Sequence, residues 1–311
     1  MTFYIICGIV VFLVFATILV AYVCYKMAFY VRDCDKKPTE EFPIPEGKIY
    51  EPWRETMKGW MIQTRALKHE SYSIKSFDGL TLCAKYYEQT PGAPIELMFH
   101  GYRGNAERDL CGGVQRCFAC GHNAFIVDQR ACGSSEGNVI TFGVNEYRDC
   151  LSWVNFAVDH FGPDAKFILT GISMGASTVL NAAGCPLPKN VIGVLADCGF
   201  NSPADIIKKV IGDMRLPPNI SYPFVQLGAR LFGHFNIDEI ASVDAIKNCK
   251  LPVIFFHGES DDFVPWEMSQ INYNACPSKK RLVIIPGAGH GLCYPVAPAL
   301  YLQEMQDFFG F

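Results

Sequence analysis

The spacing of apolar and polar positions divides this chain into segments with different periods. From Thr2 to Tyr25 the apolar positions are continuous and no residue is charged. At about 1.5 Å per residue, a helix of that length spans the roughly 30 Å hydrocarbon core of a bilayer. Residues 33–48 (DCDKKPTEEFPIPEGK) are charged and rich in proline, the composition of a linker. Between Glu51 and Lys68, Trp53, Met57, Trp60, Met61 and Leu67 recur at helical spacing. That predicts an amphipathic helix, whose stripe is expected to pack on the following domain rather than on lipid.

From Ser71 the period shortens. SYSIKSF and LTLCAKYY flank Asp78-Gly79, a tight-turn pair that predicts an antiparallel hairpin. Six further runs are too continuously apolar to be half-exposed: 95–100, 123–128, 166–170, 191–197, 252–257 and 281–285. Helical stretches separate them, including one over 106–120, and this alternation predicts parallel strands covered on both faces. The expected fold class is α/β, with an eight-stranded, mostly parallel sheet flanked by helices. The interval 199–250 holds helix-like pieces broken by Pro217, Pro218 and Pro223. It is too long for a structureless loop and is read as a small helical cap over the carboxyl edge of the sheet. The expected organisation is a transmembrane anchor over 1–26, a linker and amphipathic helix over 27–70, and one large α/β domain over 71–311 that carries the cap at about 199–250.

Composition narrows the setting. The 311 residues carry a net charge of -4, which gives no reason to expect a nucleic-acid partner. No Lys or Arg precedes Lys26, whereas a secretory signal peptide wants a basic start and a shorter apolar run. An uncleaved anchor is therefore expected, with membrane lipid as its partner. Lys26, Arg32, Lys36 and Lys37 all follow the span, which places the domain on the cytoplasmic side. Fourteen cysteines suit the same reducing compartment. Cys117, Cys120 and His122, with Cys111 upstream, invite a zinc reading. The set lacks a second ligand pair, so buried thiols are expected, with no metal and no cofactor.

Two stretches match G-x-S-x-G, 133–137 and 171–175. The chemistry needs a serine lifted clear on a sharp turn between strand and helix. Gly171 follows a strand-like run and Gly175 opens the helix-compatible ASTVLNAAG, so Ser173 is the candidate nucleophile. Ser135 lies in a Gly/Ser loop without that context and is read as a loop residue. A serine hydroxyl needs a base, and His290, in GAGHG after the last strand, is the candidate. The imidazole needs a carboxylate. Glu259, Asp261 and Asp262 follow a strand end; Asp261 is favoured, with Asp197 as the alternative. Backbone N–H groups of Met174 and of Tyr102, in the loop HGYRG, are expected to form an oxyanion hole.

Taken in order, HGYRGN, DQRACGSSEG, GISMG, HGESDDFVP and GAGHG resemble the α/β-hydrolase superfamily. The likeness covers roughly 71–311 and is strongest to the bacterial serine-aminopeptidase-like and BEM46-like branch, some members of which carry an N-terminal membrane segment. The resemblance implies a Ser173–Asp261–His290 triad, an oxyanion hole from Tyr102 and Met174, and hydrolysis of an ester, thioester or amide. Cys132 stands where the family often has His, at a position the resemblance makes structural. The expected protein is a membrane-anchored serine hydrolase, carboxylesterase- or lipase-like, acting on a small-molecule acyl ester or amide. The apolar cap residues Val225, Leu227, Leu231 and Phe232 suggest an acyl-bearing substrate. A peptidase or acyltransferase would use the same residues; a ligand-binding protein on this scaffold would not need them all.

Overall fold

The eight runs read as strands form one sheet in the computed structural model, which describes residues 1–36, 40–45 and 47–310. They are β1 (Glu70–Lys75), β2 (Thr81–Tyr87), β3 (Ile95–Phe99), β4 (Asn123–Asp128), β5 (Phe167–Ile172), β6 (Val191–Asp197), β7 (Val253–Gly258) and β8 (Lys280–Ile285). The spatial order is β1-β2-β4-β3-β5-β6-β7-β8. β1 and β2 pair antiparallel, as do β2 and β4, and every later pairing is parallel. Every residue of β3 and β7 is buried, whereas β1, at the edge, alternates between exposed and half-buried. Continuous apolar runs are what strands need when helices cover both faces.

The helices are α1 (Thr2–Ala28), α2 (Arg54–Ala66), α3 (Ala106–Ala119), α4 (Glu146–Phe161), α5 (Met174–Ala183), α6 (Pro203–Asp213), α7 (Pro218–Phe232), α8 (Ser242–Ala245), α9 (Glu267–Ala275), α10 (Cys293–Val296) and α11 (Pro298–Phe309). On one face α4 and α5 bury Trp153, Val154, Val179 and Leu180 against Leu97, Phe99 and Phe125. On the other, α3 packs Leu110, Val114 and Cys117 on Met98 and Ile126, and α11 packs Tyr301, Met305 and Phe308 on Ile254 and Phe256. The amphipathic stripe of α2 faces the domain: Met61 is buried, and Trp60 lies on Gly112 and on Tyr294.

The chain leaves β3 toward β4 on one side and returns to β5 on the other. Open α/β sheets have a crevice at such a reversal, outside the carboxyl ends of the strands. That crevice lies between the loop after β3 and the turn after β5. The interval after β6 holds α6, capped by the Ser202 hydroxyl accepting from the Asp205 N–H, then α7 and α8.

α1 is long and apolar enough to cross a membrane. Its side chains are largely exposed up to Val20, and Thr2–Val20 alone extends roughly 28 Å at the α-helical rise. Beyond that point α1 joins the domain. Ala21 and Tyr25, with Phe29 just after the helix, are buried against α7 and Phe235. A Cβ at Gly228 of α7 would lie 2.4 Å from the Ala21 carbonyl oxygen, so the two backbones meet where there is no side chain. Val225 and Phe232, read from the sequence as part of an acyl-binding cap, pack in this same cluster, with Phe232 against Tyr22 and Tyr25 of α1. The reason is competition: the last turns of α1 offer them a large apolar surface.

Candidate active site

β5 runs on to Ile172, and α5 begins at Met174, leaving one residue to make the turn. That residue is Ser173, at φ 56°, a left-handed conformation that a non-glycine residue adopts only under constraint. Both flanking glycines are required by close approach. A Cβ at Gly171 would lie 2.1 Å from the Gly175 carbonyl oxygen, and one at Gly175 would lie 2.0 Å from that of Phe99. Backbone cannot yield there as a side-chain tip can. Gly175→Ala is expected to lower stability by about 3 kcal/mol or more, a magnitude typical of overpacking against fixed backbone. A thermal melt checks this; a wild-type midpoint would contradict it.

The loop after β8 brings His290 to Ser173. Its Nε2 is 2.9 Å from Ser173 Oγ, and its Nδ1 is 2.7 Å from Asp261 Oδ2. Asp261, just past β7, is held by backbone: Oδ1 accepts from the N–H groups of Phe263 (3.0 Å) and Val264 (2.8 Å). Burial pushes its carboxyl upward, but hydrogen bonds from His257 and His290 outweigh this and hold it at about 2. A charged Asp261 accepts only, so Nδ1 of His290 carries a hydrogen and Nε2 keeps a lone pair facing the serine hydroxyl. Such a relay can take a proton from Ser173 Oγ.

Asp262, also weighed from sequence, lines the same cleft, whereas Asp197 and Ser135 lie elsewhere. Asp197 is buried and accepts from the Tyr301 hydroxyl at 3.0 Å, with its carboxyl raised by burial. It contributes backbone instead, its carbonyl accepting from the Ser173 N–H at 2.8 Å. Ser135 is buried in its loop; its hydroxyl donates to the Asp128 carbonyl at 2.6 Å and accepts from the Cys83 N–H at 2.9 Å. Cys117 and His122 flank the buried Glu96, but Arg116 and Thr170 donate to the same carboxylate. The guanidinium supplies the positive charge a metal ion would bring.

Met174 opens α5, so its N–H is among those a helix leaves without an internal acceptor. Tyr102 lies in the loop after β3, which passes close to the elbow: a Cβ at Gly101 would lie 3.4 Å from Ser173 Cβ. This loop depends on contacts that sequence reading did not assign. Asp109 accepts from the Gly101 N–H at 3.1 Å and pairs with Arg108. His100 Nε2 accepts from the Gln129 N–H at 3.0 Å, and the Gln129 amide donates to the His100 carbonyl at 2.6 Å. Asn105 caps α3 directly after the loop, accepting from the Arg108 N–H. Also unassigned was His257, fully buried, with Nε2 2.8 Å from the Val264 carbonyl and 3.3 Å from Asp261 Oδ2. Asp109, on a helix, carried no motif, and His257 opens the stretch HGESDDFVP without any role assigned to it; only their contacts single them out.

Ser173 and His290 open into a cleft of about 1160 Å³. It is lined by Pro43, Ile44, Pro45, Ile49 and Tyr50 of the linker and by Lys209, Asp213 and Phe263. The Tyr50 hydroxyl donates to the His290 carbonyl at 3.0 Å, which steadies the histidine loop. The segment read as a spacer is thus part of the site. Lys37, Pro38, Thr39 and Glu46 of that linker lie outside the described residues.

A family model for the alpha/beta hydrolase fold matches residues 97–233. The chain is 26% identical over 189 residues to the uncharacterized protein YqkD of Bacillus subtilis, spanning 60% of this chain and 62% of that relative. It is 25% identical over 251 residues to the protein bem46 of Schizosaccharomyces pombe, covering 78% and 77% of the two chains. Among solved structures it is similar to the esterase Pf2001 of Pyrococcus furiosus, with a TM-score of 0.62 and 19% identity over 80% of this chain and 94% of that one.

Proposed function

We propose that this chain, an α/β-hydrolase similar to the BEM46-like branch, is a membrane-anchored serine hydrolase that cleaves a carboxylic ester or related acyl bond. The observation that carries the reading is the continuous relay from Ser173 Oγ through His290 to Asp261, with both links under 3 Å. In this reading Ser173 Oγ attacks the acyl carbonyl while His290 Nε2 takes its proton, and Asp261 stabilises the imidazolium. The carbonyl oxygen, now negative, is held by the N–H groups of Tyr102 and Met174, the second reinforced by the α5 dipole. His290 returns the proton to the leaving group as the carbonyl–oxygen bond breaks, leaving an acyl-serine. Water, deprotonated by His290, then displaces the acid and restores the hydroxyl.

The anchor reading is supported by the burial of Ala21, Tyr25 and Phe29 in the domain, surfaces a cleaved leader would leave bare. The basic residues after α1 support a cytoplasmic catalytic domain. An acyl-bearing substrate has apolar wall to use in Ile44, Ile49 and Phe263, the last 46% exposed and with its ring 5.1 Å from that of His290. Each fully buried CH₂ contributes about 0.8 kcal/mol, so with roughly a third to a half of the six CH₂ groups added between C2 and C8 buried on this wall, kcat/KM is expected to rise by about one to two orders of magnitude. Kinetics across a chain-length series test this, and equal turnover of short and long esters rejects the acyl preference. The hydrolase itself is tested by a serine-directed phosphonate. Labelling of the wild type that vanishes in Ser173→Ala supports it, and labelling that survives the substitution rejects it.

A further inference from the structure

The loop His100–Gly104 is held from two sides. Asp109 grips it beneath the site through the Gly101 N–H. On the outside, its two central side chains reach the end of α1. The Tyr102 hydroxyl donates to the Ala28 carbonyl at 2.8 Å. Arg103 Nη2 donates to the carbonyls of Met27 (3.0 Å) and Tyr30 (2.9 Å), and its Nε donates to the Tyr102 hydroxyl at 2.7 Å. The last carbonyls of a helix have no partner within it, and a cation is favoured at that end of the dipole. One dipeptide of the loop therefore supplies both needs of α1. Arg103 itself sits at φ 52°, a backbone conformation that a non-glycine residue holds only when its surroundings impose it.

The end of α1 is firm enough to impose it. α1 meets α7 backbone to backbone at Gly228, with Tyr22 edge-on to Phe232 at 5.1 Å between ring centroids. Past the helix, the Val31 N–H donates to the Asn138 carbonyl at 2.8 Å, and the Ile140 N–H to the Phe29 carbonyl at 2.9 Å. Loop and helix end thus form one hydrogen-bonded unit, and the N–H of Tyr102 belongs to it.

We propose that the N-terminal helix is a positioning element of the active site: its last turn, through Tyr102 and Arg103, sets the backbone of the oxyanion loop, so turnover depends on the helix being seated on α7. The proposal rests on the serine-hydrolase reading and adds to it that the anchor acts on the chemistry as well as on location. A lipid environment that tilts α1 relative to α7 would change kcat before it changed substrate binding, because the oxyanion exists only after attack.

The test uses the full chain in lipid nanodiscs, a short water-soluble ester and a fluorophosphonate probe. Arg103 is exposed, so its side chain can be removed without opening the core. Arg103→Ala is expected to lower kcat about tenfold, less than the 10²–10³ for outright loss of an oxyanion donor. KM should stay within about twofold, since the oxyanion is absent from the bound substrate, and the melting midpoint should fall by no more than a few degrees, roughly, because the three hydrogen bonds lost are exposed ones. The rate of phosphonate labelling should fall in the same ratio. Tyr102→Phe, which keeps the backbone donor, should show a smaller loss of the same kind. Gly228→Ala lies outside the site and shifts α1 instead; it should reproduce the kcat-selective loss. Because both break one linkage, Arg103→Ala/Gly228→Ala should lose no more than the worse single variant. Wild-type kcat in Arg103→Ala, a loss confined to KM, or one that tracks the unfolded fraction overturns the proposal. A wild type that is itself unlabelled at Ser173 fails the hydrolase reading and this one together; a labelled wild type with an indifferent Arg103→Ala fails this one alone.

Discussion

Ser173→Ala is expected to reduce turnover by about 10⁵–10⁶-fold while leaving the melting midpoint within a degree or two, roughly, of the wild type. The substitution removes one oxygen whose hydrogen-bond partner, His290 Nε2, is 2.9 Å away and remains reachable by water from the cleft. Nothing else changes: alanine keeps the Cβ that serine already carries at φ 56°, and the close approaches of this turn are made at Gly171 and Gly175, which stay. Removing the nucleophile ends acyl-enzyme formation, but the loop donors and the cleft still bind substrate. Residual hydrolysis above the uncatalysed rate should therefore survive, as it does when a triad member is removed elsewhere. Steady-state kinetics with the variant as blank, together with a melt, check both halves. A variant with a tenth of wild-type activity would mean that the hydroxyl is not the nucleophile.

The second large effect belongs to Asp261→Asn, for which a loss of about 10³–10⁴-fold in kcat is expected. The geometry explains why a nearly isosteric change is so damaging. Oδ1 accepts from two backbone N–H groups, while Oδ2 faces His290 Nδ1 at 2.7 Å and His257 Nε2 at 3.3 Å. A carboxylate accepts on both sides, and an amide cannot. If the asparagine oxygen serves the backbone, its NH₂ faces His290 and forces the proton onto Nε2, the tautomer that cannot take the serine proton. If the amide turns over, its NH₂ meets the N–H groups of Phe263 and Val264. Unchanged turnover in this variant would show that His290 is oriented by something else.

The same contacts set a pH dependence. With its folded value lowered to about 2, Asp261 favours the charged form in the native state. The resulting stability is fully present above the unfolded carboxyl value near 4 and is lost as pH falls from about 4 to about 2. Its size is about 2 kcal/mol. In denaturant titrations across this window the wild type should lose that amount more than Asp261→Asn, because Glu96, also held at about 2, is lost in both. Any loss of activity between neutrality and pH 4 is accordingly not protonation of Asp261.

Local rules made much of this protein legible from its residues. Continuous apolar runs such as IELMF and VIFFH describe strands buried on both faces, and those runs occupy the sheet. Gly171-Ile172-Ser173-Met174-Gly175 between a strand and a helix describes an elbow, because glycine is the residue that survives a 2 Å approach of backbone. Short-range chemistry of this kind is written in adjacent positions. What tertiary structure alone decided are the relations between positions far apart in the chain. Asp197 closes β6 and Asp261 lies just past β7; the sequence favoured Asp261 by its place between Ser173 and His290, and packing turned Asp197 to Tyr301 and Asp261 to His290. The apolar residues of α7 were readable as a lining for substrate, but α1 covers Val225 and Phe232. The linker reads as a spacer, yet Tyr50 rests on the histidine loop. The end of α1 carries no motif, and only the fold brings its carbonyls to Arg103. The physical reason is the same throughout: periodicity reports whether a side chain must leave water, and it does not report which of several apolar surfaces or hydrogen-bond partners will receive it.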